Sequence, residues 1–259
     1  AALATVLSQA IAVIGQMVIF LNPKEVIYFH RGIWRLKRDI TLRALGIGMA
    51  PFLMHLAACF VVIVLNNQLK RYGGDMAIAT FGVTNRFMFF FAMIVMGLNQ
   101  GMQPIVGYNF GAKLYPRMVR TLKLTIMCAT CVMGALWLFG LVWPEGFIRL
   151  FTHDEELIVQ SIAPARVMLC TMVVVGFPMV VGNFYTSIGM SSKAIFLSLT
   201  RQVLFLIPCI LLLPMLFQTL GITSIWGVWW SLPICDALAA ITAAVVINHD
   251  MRKFWLKSQ

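Results

Sequence analysis

The chain alternates between long apolar blocks and short, basic, polar connections. Apolar stretches run over about 1–21, 43–66, 76–105, 118–143, 160–188, 197–217 and 225–247. Each reaches the ~20 residues needed to cross a hydrocarbon core of ~30 Å. In lipid every backbone polar group must be satisfied within the segment, which makes such stretches helices. A barrel would instead show alternating segments of ~10 residues. The pattern predicts an all-α integral membrane protein with about seven transmembrane helices. The first block has no basic lead-in and is too long and too punctuated by polar residues for a secretory leader. The chain opens at Ala1 inside an apolar segment, so it reads as a piece of a longer protein.

The cations in the connections set an orientation. Lys24, Arg31, Arg35, Lys37, Arg38 and Arg43 precede the second block. Lys113, Arg117, Arg120 and Lys123 lie two crossings later, followed on the same side by Lys193 and Arg201 and by Arg252, Lys253 and Lys257. The other side holds Lys70, Arg71 and Arg149 beside Asp75, Glu145, Asp154, Glu155 and Glu156. Fifteen basic residues against three place the rich side, and the C-terminus, in the cytoplasm. In the longest connection, 22–43, Ile33, Trp34 and Leu36 interleave with cations. It is expected to form an amphipathic helix in the interface, the alternative being a plain basic loop. The first and last blocks share a faint small-residue repeat that aligns Ser8 with Cys235 and Gln9 with Asp236. Both run in the same direction, as parallel repeats would.

Composition narrows the function classes. The chain is 61% hydrophobic and 11% charged, with a net charge of +11. The positive charge is spread over connections rather than gathered on one face, so no nucleic-acid partner is expected. Cys59, Cys128, Cys131, Cys170, Cys209 and Cys235 all fall inside apolar blocks and read as small buried apolar side chains. No nucleophile elbow, phosphate-binding loop or metal-ligand spacing is present, so no enzyme activity, metal or cofactor is expected.

Polar residues inside the blocks are the candidate chemistry, because such groups must face protein or water. Arg166 lies near a boundary where it can snorkel. Arg86 and Asp236 lie deeper, and Pro233 precedes Asp236 by three residues. Asp236 is open to two readings. It is a carrier of a proton or cation, or it is one partner of an ion pair with Arg86 that holds helices together. Asn85, Asn183, His55, Gln100 and Gln103 add neutral or titratable polarity along a substrate or cation path. Gly97, Gly101, Gly107 and Gly111 form two small-residue steps that favour close helix approach, with Pro104 breaking the helix between them as a gate or hinge. Met54, Phe87, Met88, Phe91, Met102, Phe177, Met179 and Phe184 are candidates for an adaptable apolar lining.

The stretch "GLNQGMQPIVGYNFGA" (97–112) resembles the MATE (multidrug and toxin extrusion) family. So do "LNNQLKRYGGDMAIATFGVTNRF" (65–87), "FPMVVGNFYTSIGMSSKAIFLSLTRQVLFLIP" (177–208), "GVWWSLPICDALAA" (227–240) and the opening "AALATVLSQ". The resemblance implies the last helix of an N-lobe (1–21), an inter-lobe linker (22–42), a six-helix C-lobe (43–248) and a cytoplasmic tail (249–259). It also implies a missing N-lobe as partner and residence in the bacterial inner membrane. The implied activity is efflux of amphipathic or cationic small molecules in exchange for H+ or Na+. His55 stands where the family often has Gln. Spans 43–66 and 160–188 lack the carboxylates that some branches carry there, which points coupling toward the absent N-lobe. The alternatives are a lipid-linked sugar flippase of related fold and a non-transporting membrane scaffold.

Overall fold

The computed structural model describes residues 2–22 and 37–256. The expected interfacial helix of 22–43 falls largely on 23–36, outside the described residues. Regular structure among the described residues is entirely helical. In chain order the helices are α1 (Ala2–Phe20), α2 (Arg38–Gly111), α3 (Tyr115–Val142), α4 (Pro144–Arg149), α5 (Glu155–Leu169), α6 (Met172–Ser187) and α7 (Ser191–Leu199). A π-helical turn (Thr200–Leu206) leads into α8 (Ile207–Thr219), and α9 (Ser224–Leu256) follows. The chain divides into two compact units, Ala1–Met49 and Ala50–Gln259.

Five helical stretches are long and apolar enough to cross a membrane: Leu3–Phe20, Phe52–Gly111, Tyr115–Val142, Ser191–Thr219 and Ser224–Met251. Phe52–Gly111 holds 60 residues, which as one helix would extend about 90 Å, some three hydrocarbon thicknesses. It is interrupted at Gly74, whose φ of 68° and ψ of −163° are not helical. Only glycine takes that backbone shape without penalty. At the neighbouring Gly73 a Cβ would lie 2.6 Å from Ala77 Cβ and 2.2 Å from Ile225 Cδ1 of α9, so a larger residue there would displace its neighbours. Counting a crossing on each side of Gly74 gives two spans. A further span comes from α5 and α6, neither long enough alone, which pass together but bend by 55°. The total of about seven agrees with the hydropathy pattern. The fifth span differs in detail, beginning at Glu155 and being broken at Cys170–Thr171.

Among the described residues, a small apolar core around Val83, Ile148, Ile158 and Ala165 and two larger ones hold the larger unit together. One joins Phe91, Met102 and Val106 of α2 with Met118 and Leu122 of α3, Phe184 and Tyr185 of α6, and Ala243 of α9. The other joins Leu65, Leu69 and Ala77, on both sides of the Gly74 break, with Ile210 of α8 and Val228 and Trp229 of α9. Helices α8 and α9 meet backbone to backbone, because a Cβ on Gly227 would sit 2.6 Å from Pro214 Cα. Without a hydrophobic drive between helices in lipid, such close approach is a main source of packing energy.

Some sequence expectations do not survive. Helix α2 runs unbroken through Pro104, the only non-helical residue inside it being Gly74. Neighbouring turns keep the rest of the hydrogen-bond ladder intact, so one missing N–H does not end the helix. Among the described residues, a Cβ on Gly97, Gly101 or Gly111 would meet nothing within 4 Å. Gly107 alone of the four is close to a neighbour, 3.3 Å from the Ser187 carbonyl oxygen. The six cysteines are free thiols, yet only Cys235 is buried, while Cys59, Cys131 and Cys170 are exposed. They are on outward faces of apolar helices, where a thiol is as compatible with lipid as in a core.

Candidate functional site

A cavity of about 230 Å³ opens in the larger unit between Met54 of α2, the middle of α6, the α7–π-turn segment and Ala239 of α9. Its polar lining comes from Asn183, Thr186, Ser198 and Arg201, and Met54 and Met179 supply soft apolar walls. Local sequence explains how these groups arrive there. Pro178 and Gly182 sit on the lining face of α6. Asn183 donates through Nδ2 to the Met179 carbonyl at 2.9 Å, which fixes its rotamer. Its Oδ1 accepts from Gln103 Nε2 at 3.1 Å, bringing α2 and α6 into register across 80 residues of sequence.

The charged part of the site is an ion pair. Arg201 Nε and Nη2 both donate to Asp236 Oδ1, at 2.8 and 2.7 Å. Arg201 stands in the π-helical turn Thr200–Leu206. Pro208 lies just beyond this turn and has no N–H for the carbonyl four residues back, so the ladder upstream shifts to the wider π register. A π turn leaves backbone carbonyls short of partners, and the Arg201 carbonyl accepts from Cys235 Sγ at 3.0 Å. Adjacent residues of α9 therefore hold both ends of Arg201, Cys235 its carbonyl and Asp236 its guanidinium. The Asp236 side chain is 15% exposed and that of Arg201 36%, so the pair is largely withdrawn from the surface.

This corrects the expected pairing of Asp236 with Arg86. The partner is Arg201, which the cation count had placed in a connection. Arg201 lies eight residues beyond Lys193, about 12 Å further along the helix, which carries it inside the span. Arg86, Asn85, His55 and Gln100 are exposed, and among the described residues none of their side chains makes a hydrogen bond or ion pair. Of the apolar candidates, Met54 and Met179 line the cavity, whereas Phe91, Met102 and Phe184 are buried core. The side chain of Phe87 lies outside what is described.

A second polar cluster went unnoticed in the sequence. Asp250, at the end of α9, is buried and accepts from Tyr185 Oη at 2.8 Å and from Lys193 Nζ. The Lys193 ammonium also lies 5.4 Å from the centre of the Tyr185 ring. These contacts tie the ends of α6, α7 and α9 together. Asp250 follows an apolar block among tail charges, so nothing local in sequence marked it as buried.

Comparison with known proteins places this architecture. The MatE family model matches residues 51–211. The multidrug export protein MepA of Staphylococcus saprophyticus is 24% identical over 247 residues, covering 95% of this chain and 53% of MepA. MepA of Staphylococcus aureus is 27% identical over 251 residues with the same coverage. The solved MATE multidrug transporter DinF-BH, in complex with a ligand, superposes with a TM-score of 0.80 at 34% identity, over 98% of this chain and 55% of that one. An outward-facing MATE transporter of the MOP superfamily gives a TM-score of 0.82 at 18% identity, over 98% and 56%. The chain thus spans about half the length of the relatives it matches. With the family model covering more than half of its residues, the chain belongs to the MatE family.

Proposed function

We propose that this chain forms the C-terminal half of a two-lobe secondary transporter that exports amphipathic, often cationic, compounds in exchange for H+ or Na+. The observation that carries the reading is one face of α2. Arg86, Met93, Gly97, Gln100 and Pro104 recur at helical spacing and are all exposed. An arginine facing lipid at mid-span costs about 2.5–3.5 kcal/mol or more. This face therefore meets water or another protein surface, as the wall of a passage between two lobes would. Asn85 flanks it, and His55 adds a titratable group on the earlier span. The cavity beside Asn183 and Arg201 is smaller than the ~300–1,000 Å³ of drug-sized sites, so the N-lobe supplies the rest of the substrate site. The names of MepA and DinF-BH, which describe multidrug export and transport, support the same reading.

Within this scheme Asp236 is first the counter-ion of Arg201, and the principal coupling carboxylate belongs to the N-lobe. The C-terminus lies in the cytoplasm and the membrane is the bacterial inner membrane. The test is dye export from proteoliposomes under imposed H+ or Na+ gradients. The two-lobe protein is expected to export a cationic dye, with Arg86→Ala and Gln100→Leu slowing export at normal folded yield. The 259-residue chain alone is expected to leave drug susceptibility of an efflux-deficient host unchanged. Gradient-independent behaviour of the two-lobe protein would overturn the reading.

A further inference from the structure

A groove of about 430 Å³ lies where the end of α2 meets the start of α3, lined by Ile105, Tyr108, Asn109, Arg117, Arg120, Thr121 and Leu124. The two helices are joined by a turn in which Lys113 takes a φ of 60°. The Leu114 N–H donates to the Asn109 carbonyl at 2.8 Å, and Asn109 Nδ2 donates to the Ile105 carbonyl at 2.7 Å. The groove is thus shaped by a fixed turn.

Its charge is unbalanced. Lys113, Arg117, Arg120 and Lys123 fall within eleven residues, and no Asp or Glu occurs between Asp75 and Glu145. Several other cations of this unit are matched: Arg149 by Glu145 and Glu155, Lys193 by Asp250, and Arg201 by Asp236. Among the described residues neither the two groove arginines, Arg117 and Arg120, nor the neighbouring Lys113 and Lys123 have an acidic partner. The polarity is also graded. Arg117, Arg120, Thr121 and Leu124 form one helical stripe (i, i+3, i+4, i+7) that passes from cations at the membrane boundary to an apolar side chain deeper in the span. On α2, Ile105 and Tyr108 repeat this order. Ile105, Tyr108 and Leu124 are 50%, 76% and 54% exposed.

The geometry points to a binding site for an anionic glycerophospholipid, its phosphodiester held by Arg117 and Arg120 and an acyl chain running along Ile105 and Leu124. Guanidinium groups pair with phosphate oxygens in fork geometry, and basic pockets at the membrane boundary are suited to anionic headgroups. A protein partner is disfavoured, because the groove lining includes no carboxylate to match cations on a second surface. The inference needs only that the chain is membrane-embedded and is independent of what the transporter carries.

The test is lipid retention by the whole chain purified in detergent, read by native mass spectrometry during titration with phosphatidylglycerol or phosphatidylcholine. Phosphatidylglycerol is expected to bind preferentially. Loss of two surface cations in R117Q/R120Q should weaken it roughly thirty-fold, while R117K/R120K, which keeps the charge and loses the planar fork, should fall between that variant and the parent. A charge-matched control on the opposite side, K70Q/R71Q, should leave retention unchanged. Inorganic phosphate at millimolar concentration should not displace the lipid. Equal phosphatidylglycerol retention by R117Q/R120Q would overturn the site. Displacement by phosphate alone would show a free-anion site instead. Unchanged lipid binding with an altered oligomeric state would show that protein covers the groove.

Discussion

Arg201 and Asp236 form an ion pair within the membrane-spanning bundle, two guanidinium nitrogens meeting one carboxylate oxygen at 2.7–2.8 Å. The pair joins the π turn to α9 next to the cavity. Asp236→Asn leaves the guanidinium without its counter-charge. Removing one partner of a buried pair costs up to about 3–5 kcal/mol. With Arg201 over a third exposed, a loss of about 1–3 kcal/mol is expected in thermal unfolding in detergent, and Asp236→Asn combined with Arg201→Gln should recover part of it. A normal folded yield with pH-coupled efflux abolished would instead make Asp236 a coupling residue.

Gly227→Ala should be among the most damaging small substitutions in the chain. The added methyl meets Pro214 Cα and N at 2.6 Å and the Leu213 carbonyl carbon at 2.7 Å, and backbone cannot rotate aside. A loss of about 3 kcal/mol is expected. Gly134→Ala, whose methyl meets nothing within 4 Å, should change stability by less than about 0.5 kcal/mol. Parallel melting curves of the two variants check the contrast.

The contrast between these two glycines shows what the sequence made legible. The number and placement of the spans followed from hydropathy, because lipid imposes one rule on every crossing. Which glycines touch a neighbour did not follow, since Gly97 and Gly101 have the spacing of a contact motif and meet nothing within 4 Å among the described residues, while Gly227 has no G-x-x-x-G partner and packs against the backbone of α8. Asp236 stood out because a carboxylate is costly in an apolar block. Its partner did not, because Arg201 stands near a block's edge where cations usually signal topology. Asn183 and Gln103 were both candidates, but that they bond each other depends on how α2 packs against α6.

Asn183→Leu keeps the branched outline of the side chain and removes its amide. Interhelical hydrogen bonds in membranes average about 0.6 kcal/mol, so the stability change should stay below about 1 kcal/mol. Export by the two-lobe protein is expected to fall severalfold. Unaltered export at normal yield would show that the Gln103–Asn183 contact serves packing alone.

The contacts at Asp250 should rank by charge. Tyr185→Phe removes one neutral donor and is expected to cost about 1 kcal/mol, whereas Asp250→Asn also strips Lys193 of its charge-assisted bond and should cost about 1.5–3 kcal/mol. Chemical unfolding of the two variants gives the order, and a larger effect for Tyr185→Phe would contradict it.

Cysteine scanning in a cysteine-free background tests the orientation. A cysteine placed within 144–158 is expected to react with an impermeant thiol reagent added outside intact cells, and one within 24–38 only after permeabilisation. The reverse pattern would invert the topology.

The π turn at Thr200–Leu206 has a consequence for chain length. It carries a surplus over the 3.6 residues that an ordinary helical turn requires. Deleting a single residue there removes the surplus and lets the helix close into regular α geometry, with the turns before and after it close to their present phase. Ser198 would keep facing the cavity, while Arg201, which stands inside the widened turn, would lose the position from which it reaches Asp236. In this segment spacing carries information beside identity: a one-residue gap in a relative's sequence here marks a lobe without the widened turn, even where the arginine and the aspartate are both retained.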